Sequence, residues 1–158
     1  RKDDKLDDLV SLSKEFFEEY ESHHEDFFHI DVLRDDDVVS YFSRLLDNEN
    51  GEVIVALDKG RIIGYITVYV RKQASYWKVK QIGDISGLMV QNAYRRQGIG
   101  QQLMEKGIGF FREAGVKYFT VYTAVENRGA IEFYEQSGLC PLYTTLLGEV
   151  PKDEGGLV

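Results

Sequence analysis

The amino-acid sequence predicts an α/β protein (an α+β mixed sheet) with helices on both faces of its sheet, in the element order ααβββαβαβ. Three observations predict this fold. Apolar residues recur at helical spacing within the first 46 residues, and β-branched and aromatic runs joined by a tight turn follow Gly51. A strand, a loop, a helix and a strand then succeed one another between residues 78 and 124. Such a crossover places its two strands in parallel, whereas a hairpin is antiparallel, so the sheet is expected to be mixed.

The first two elements are predicted to be helices. Apolar residues at helical spacing indicate one helix over residues 4–22, and a second begins near the acids at 35–37 and stops before DNENG. The connection between them carries His23, His24 and His29 beside acidic residues. Zinc sites favour tighter or cysteine-containing spacings, so we predict a polar loop there and no metal site.

The middle of the chain is predicted to form three strands. EVIVALD and RIIGYITVYVR, joined by KG, are typical of a β-hairpin. A third strand is expected over residues 78–90, and Gly83 and Gly87 interrupt it. A glycine within a strand indicates a bulge or the close approach of another group, so we expect one or the other here.

Two helices and two strands complete the predicted order. A helix over residues 99–114 ends at Gly115, and KYFTVYTA follows as a strand. Asn127 is predicted to cap the N-terminus of a short helix that ends at Gly138. LCPLYTTLL is predicted to be the last strand.

Composition limits the classes of protein to which the chain can belong. With 158 residues, 43% of them hydrophobic, it is expected to form one domain over residues 1–158 with a packed core. The longest apolar run, residues 62–70, is far shorter than the roughly 20 residues of a membrane helix, so no membrane partner is expected. The lone cysteine, Cys140, excludes an internal disulfide and fits a reducing cytoplasm, which is the predicted location.

The net charge of −8 is concentrated in the first third of the chain. Residues 1–50 carry 16 acidic and 6 basic side chains, so the rest of the chain is slightly positive. No basic face is visible for nucleic acid, and nucleic-acid binding is not expected. The acidic third has two interpretations, a solvated face that aids solubility or a field that attracts a cationic substrate.

The loop YRRQGIG, residues 94–100, stands between a predicted strand and a predicted helix N-terminus. The unpaired N–H groups and the dipole of a helix N-terminus both favour an anion. Gly98 and Gly100 allow the backbone to close around that anion, and Arg95 and Arg96 add donors suited to phosphate. The spacing matches neither a Walker A loop nor the dinucleotide fingerprint, and a glycine turn flanked by solvated arginines is the alternative interpretation.

Two segments resemble the GCN5-related N-acetyltransferase (GNAT) superfamily. LMVQNAYRRQGIGQQLM resembles that family's strand, acyl-CoA pyrophosphate loop and helix entry. NRGAIEFYEQSGL resembles its Asn-x-x-Ala-x-x-Phe-Tyr-x-x-x-Gly-Phe segment, with Leu139 in place of the usual phenylalanine. The element order also agrees, so the resemblance covers about residues 1–147. It implies a GNAT-like acyl-CoA N-acyltransferase fold and an acetyl-CoA-dependent N-acetyltransferase that needs no metal.

The resemblance assigns the cofactor contacts. The pyrophosphate is expected to bind the loop residues (Arg95, Arg96, Gln97, Gly98, Ile99, Gly100 and Gln101). The pantetheine arm is expected along the backbone of Leu88, Met89 and Val90, where an N–H near Met89 or Val90 would face the thioester carbonyl. The side chain of Asn127, first a helix cap, is expected to touch the cofactor arm as well.

The resemblance also implies two catalytic residues. Tyr134 is expected to be the general acid that protonates the departing thiolate and to touch the cofactor. Asp84, six residues before Val90, is expected to be the base that deprotonates the acceptor amine; Glu126 and water are the alternatives. An acyl-cysteine on Cys140 is not expected, because direct attack in a ternary complex is the family's usual route.

Two departures from the family pattern bear on the acceptor site. The usual first strand would lie before Arg1, and only the polar GEVPKDEGGLV follows the predicted last strand, so a final strand is short or missing. The acceptor site is therefore expected to be more open, or completed by a partner subunit in a homodimer. The expected acceptor is a small cationic amine, with a protein or peptide amine and a non-catalytic acyl-CoA-binding module as alternatives. Cationic acceptors are expected to outrank neutral ones, with a KM that rises with salt.

Overall fold

The computed structural model describes residues 2–153, without the side chains of residues 2–4. The helices are α1 (Lys2–Glu21), α2 (Asp35–Leu46), α3 (Ile99–Glu113) and α4 (Arg128–Gln136), and the strands are β1 (Gly51–Asp58), β2 (Arg61–Lys72), β3 (Gln81–Val90) and β4 (Phe119–Val121). The sheet order is β1-β2-β3-β4, with the first two pairings antiparallel and the last parallel. The predicted mixed sheet is confirmed.

The sheet separates two apolar cores, one on each face. Strand alternation sends Tyr65 and Met89 towards α1 and α2, where they pack with Phe42, which is fully buried. It sends Ile66 and Val68 to the opposite face, against α3. The helices thus cover both faces, as predicted, and each core holds one side of the site described below.

The sequence predicts either a bulge or the close approach of another group at the glycines of β3, and the structure shows one of each. A Cβ on Gly83 would lie 2.5 Å from the ring of Phe111, so the close approach of α3 requires glycine there. Farther along, Thr67 pairs with Gly87 and Val68 pairs with Ile85, which leaves Ser86 as the extra residue of a β-bulge. Ser86 and Gly87 both face the α1–α2 side because of this bulge, and the alternation of β3 changes phase beyond it.

The predicted last strand is wrong. Residues 139–150 have no regular structure, and Leu142, Leu146 and Val150 in this segment are largely exposed. A further strand would have to pair with the free edge of β4, but β4 is only three residues long. It is shorter than the predicted KYFTVYTA, and beyond it the chain contacts α1, where Ala124 N–H donates to the Tyr20 hydroxyl at 3.0 Å.

Helix α1 is attached to the sheet through a buried carboxylate. Asp8 accepts hydrogen bonds from the backbone N–H of Ile62 at 2.9 Å and from Nε of Arg61 at 2.8 Å. Because both partners lie at the start of β2, this contact sets where α1 crosses the sheet. The C-terminal end of α1 is thereby held beside β3 and β4, where the cavity opens.

Candidate functional site

A cavity of about 360 Å³ opens where β3 and β4 part. The two strands pair only over residues 83–85 of β3, opposite Phe119, Thr120 and Val121, and β4 ends there while β3 continues to Val90. Ser86, Gly87 and Leu88 line one side of the opening, and residues 121–123 line the other. The two strands are therefore splayed apart beyond the bulge, and this edge of β3 is left unpaired.

The three residues predicted to hold the pantetheine arm occupy this part of β3. Leu88 lines the cavity, Met89 is buried against α1 and α2, and Val90 packs towards α3. Their side chains thus belong mainly to the two cores. Any contact with a ligand must come from their backbone, and the predicted backbone role stays a prediction.

The loop after β3 leads into a helix with the predicted backbone geometry. A 3₁₀ turn (Asn92–Tyr94) is followed by Arg96 at φ 61° and Gly98 at φ 79°, and α3 begins at Ile99. Left-handed backbone at two positions turns the chain sharply, so the N–H groups of the first turn of α3 point into the opening of the loop. A Cβ on Gly100 would lie in ordinary contact with the Phe133 ring, at 3.4 Å, so a larger side chain there would press on α4. The loop therefore has the features of an anion site.

Arg95 differs from the role predicted for it. Its guanidinium donates to both carboxylate oxygens of Glu19, at 2.7 and 3.0 Å, and its Nε donates to the carbonyl of Val90 at 2.9 Å. The side chain thus ties the loop to α1 and to the end of β3. Arg96 and Gln97 are exposed beside the helix start, and Gln97 donates to the carbonyl of Ala93. In this structure Arg96 is the arginine better placed to meet a phosphate.

Tyr134 and Asn127 lie together at the α4 side of the cavity. Asn127 Oδ1 accepts a hydrogen bond from Ala130 N–H at 3.3 Å, which confirms it as the N-cap of α4. Burial raises the pKa of Tyr134 to about 12, with a smaller contribution from Tyr20. The phenol is therefore protonated at neutral pH, which is the state that a proton donor requires.

Asp84 is buried at the start of the splay, outside the cavity lining. One carboxylate oxygen accepts from Thr120 Oγ1 at 2.6 Å, and the other forms an ion pair with Arg71. Both oxygens are thus engaged by neighbouring strands. Because Asp84 does not line the cavity, its contact with an acceptor amine there would require an intervening water or a change in its side-chain position.

Sequence reasoning missed a hydroxyl cluster at the bulge. Tyr41 of α2 is hydrogen-bonded to Ser86 Oγ at 2.7 Å and to Thr67 Oγ1 at 3.1 Å, and Thr67 and Ser86 are 2.8 Å apart. These residues are 19 to 45 positions apart in the chain, so no local pattern signals the cluster. It holds the bulge against α2 and brings polar groups to the cavity floor at Ser86.

The histidine loop is folded by its own hydrogen bonds. His24 Nδ1 accepts from the N–H groups of Asp26 and Phe27, at 3.0 and 2.9 Å, and the His23 ring contacts Tyr20 edge-on. Within residues 2–153, no group of three or more His, Cys, Asp or Glu side chains is arranged to hold a metal ion. Over the same residues, the helices are too short or too polar to cross a membrane.

Comparison with known proteins agrees with this arrangement. A family model described as the acetyltransferase (GNAT) family matches residues 6–139. The chain belongs to the GNAT family. An uncharacterized N-acetyltransferase of Archaeoglobus fulgidus is 31% identical over 136 residues, which are 86% of this chain and 87% of that protein. The GNAT resemblance of the sequence is thus confirmed, and so is the fold class.

Solved structures share the fold of this GNAT protein. A tetramutant of the BH1408 protein from Bacillus halodurans superposes with a TM-score of 0.79 at 21% identity, over 93% of this chain and 96% of that one. The acetyltransferase AAC(6')-Iy, in complex with the bisubstrate analog CoA-S-monomethyl-acetylneamine, gives 0.70 at 16% identity, over 92% and 91%. At 21% and 16% sequence identity, the similarity to these two structures shows a shared fold.

The residues present in this GNAT protein fit an acyl-CoA. The left-handed Gly98 and the first turn of α3 suit a pyrophosphate, and the splayed edge of β3 suits an extended arm. In the cavity wall, the buried Thr123 Oγ1 has no hydrogen-bond partner among residues 2–153, so a bound polar group would satisfy it. The start of α3 is joined to α4, the helix that carries Tyr134, because Gln101 Oε1 accepts a hydrogen bond from Ser137 Oγ at 3.3 Å.

Proposed function

We propose that this GNAT protein transfers the acetyl group of acetyl-CoA to the primary amine of a small cationic acceptor, by direct attack in a ternary complex. One observation carries the proposal. The unpaired edge of β3 and the protonated Tyr134 line one cavity, and the start of α3, which has the features of an anion site, packs against α4, the helix that carries Tyr134. A CoA molecule gripped at the loop would therefore deliver its thioester to Tyr134.

The proposed step assigns each bond and proton. The acceptor enters as an ammonium ion and loses one proton to a base, Asp84 or water. Its nitrogen then attacks the thioester carbonyl carbon, so an N–C bond forms, the C–S bond breaks and the electron pair leaves on sulfur. Tyr134 gives its proton to that thiolate and recovers one from solvent, while the new amide nitrogen releases its remaining excess proton. A backbone N–H near Met89 or Val90 would stabilise the charge on the carbonyl oxygen.

The excess of acidic side chains in the N-terminal third supports a cationic acceptor. Some of these carboxylates are already paired with basic side chains. Glu19 binds Arg95, Asp8 binds Arg61, and Lys14 binds Asp35 at 2.5 Å. Other carboxylates, including Glu25 and Asp26 beside the cavity loop, are exposed. The remaining field would raise the local concentration of a cation near the α1–α2 connection.

The test is acetyl-CoA turnover followed by free thiol release, with primary amines of different charge as acceptors. We expect cationic amines to be acetylated and neutral amines of similar size to be poorer, with an acceptor KM that rises as salt passes roughly 0.1 M. Mass spectrometry of the product confirms the amide. CoA binding by calorimetry without turnover of any amine would instead indicate a non-catalytic acyl-CoA-binding module.

Replacing Asp84 by asparagine tests the base. The amide keeps the shape of the site and still accepts from Thr120, but it cannot take a proton, so we expect the acidic limb of the pH–rate profile to change and turnover to fall by about 10- to 100-fold. The thermal midpoint serves as the control, because loss of the ion pair with Arg71 also affects stability. A lower midpoint with an unchanged profile would make Asp84 a structural residue and leave deprotonation to water.

A further inference from the structure

One wall of the cavity is aromatic and is formed by the C-terminal end of α1 and the loop that follows it. Five rings belong to it: Phe16, Phe17, Tyr20, Phe27 and Phe28. They contact one another in sequence, with Tyr20 and Phe28 centroids 4.7 Å apart, Phe16 and Tyr20 stacked at 5.4 Å, and Phe27 and Phe28 at 5.2 Å. The wall is thus a continuous surface rather than scattered apolar residues.

Hydrogen bonds hold this wall in place. The Tyr20 hydroxyl accepts from Ala124 N–H at 3.0 Å, which joins α1 to the segment after β4. His24 Nδ1 accepts from two N–H groups of the loop, and the Glu21 carboxylate accepts from Ile30 N–H at 3.2 Å. Glu21, a carboxylate close to the wall, is therefore used to shape the loop. The rings are positioned before any ligand arrives, which lowers the entropy cost of binding.

The side chains that line the cavity favour an acceptor with a single positive charge. Among the described residues that line the cavity, none is Asp, Glu, Lys or Arg; the polar side chains are those of His29, Ser86, Thr123 and Asn127 and the tyrosines. A polycation needs a carboxylate or water for each ammonium group that it buries. A single ammonium group can instead be held against ring faces and then lose its proton at the reaction centre. The aromatic wall therefore disfavours an acceptor with a second ammonium group and favours one whose remaining part is apolar.

The size of the cavity leads to the same conclusion. About 360 Å³ is at the lower end of the range for small-molecule sites, and the acetylated arm must occupy part of it along Leu88 and Tyr134. The space that remains fits one ring or a short alkyl chain. An oligosaccharide-sized polyamine would have to extend into solvent.

We infer that the acceptor is a small primary monoamine with an apolar body, best an aromatic ring joined to the amine by a short alkyl chain. The inference rests on the proposed function and narrows its acceptor class. The ring would pack on the wall at Tyr20 and Phe28, and the nitrogen would point past Ser86 and Gly87 towards the end of β3.

The first test compares acceptors in the thiol-release assay with the wild-type protein. Acceptors would be 2-phenylethylamine, ethanolamine, 1,4-diaminobutane and the aminoglycoside sisomicin. We expect kcat/KM for 2-phenylethylamine to exceed that for 1,4-diaminobutane and ethanolamine by about tenfold or more, the scale of burying a few carbons. Turnover of the diamine or sisomicin above 2-phenylethylamine would overturn the inference while the proposed function stands. Absence of thiol release with every amine would defeat the proposed function itself.

The second test asks whether residues of the aromatic wall determine the preference among acceptor amines. Phe28→Ala should lower kcat/KM for 2-phenylethylamine about tenfold through KM, Phe28→Leu should lower it less, and the KM of acetyl-CoA should not change. Tyr76→Ala is the matched control, because Tyr76 is an 81% exposed ring on the β2–β3 loop, outside the cavity lining. Ile30→Glu adds a carboxylate to the lining and should move the preference towards 1,4-diaminobutane. A preference unchanged in both Phe28→Ala and Ile30→Glu would overturn the assignment of the acceptor to this wall.

Discussion

Replacing Gly98 with aspartate is expected to weaken CoA binding about 30-fold or more, a loss of roughly 2 kcal/mol. Gly98 has a φ of 79°, so any side chain strains the backbone that turns into α3. The new carboxylate would also stand where the helix N-terminus and Arg96 favour an anion. Gly100→Leu should act similarly by another route, because the added side chain would push against the Phe133 ring.

Two control variants make this result specific. Gly109→Asp introduces the same side chain farther along α3, where a Cβ meets no atom within 4 Å, and CoA affinity should stay unchanged. Arg95→Ala should change CoA affinity by no more than about threefold, because in this structure the guanidinium binds Glu19. Calorimetry is the measurement. Wild-type affinity in the Gly98 and Gly100 variants would end the assignment of the loop, and a large loss in Arg95→Ala would mean that Arg95 leaves Glu19 for the phosphate.

Replacing Tyr134 with phenylalanine is expected to lower turnover about 100-fold, the lower end of what a positioned acid contributes, with little change in acetyl-CoA binding. The hydroxyl acts on charge that appears only as the C–S bond breaks, so kcat falls and binding does not. The ring keeps its packing on Phe133, and the variant should fold normally.

The raised pKa of Tyr134 adds a pH criterion. With a pKa of about 12, the phenol keeps its proton across the ordinary alkaline range. Ionisation of Tyr134 should therefore not lower the wild-type rate below about pH 11. Tyr118→Phe is the control, because Tyr118 is exposed and outside the cavity lining. Undiminished turnover in Tyr134→Phe, together with a large loss in Tyr122→Phe, would transfer the acid role to Tyr122, which also lines the cavity.

Local sequence patterns predicted α1 to α4, β1 to β4 and the loop that precedes α3, but also a last strand that does not form. Helical and strand periodicity depend on which residues are neighbours along the chain, and the predicted start of α3 at Ile99 agrees with the structure. The features of an anion site are local as well, since Gly98, the loop and the first turn of the helix are contiguous in the chain. The same holds for Asn127, whose cap requires only Ala130, three residues on.

The partners of individual side chains and the pairing of strands depend on contacts between segments that are distant in the sequence. Arg95 meets Glu19 across 76 positions, and Asp84 meets Thr120 across 36, so neither partner is visible in a local pattern. LCPLYTTLL has the composition of a strand but lies beside a three-residue β4 that offers little backbone to pair with. Helical periodicity also placed Phe16 and Tyr20 on one face of a helix. In the structure this face lines a cavity, because Phe28 and Ala124, from other segments, contact Tyr20. Periodicity shows which apolar residues share one face of a helix or strand. The segment that packs against that face is determined by contacts between distant parts of the chain.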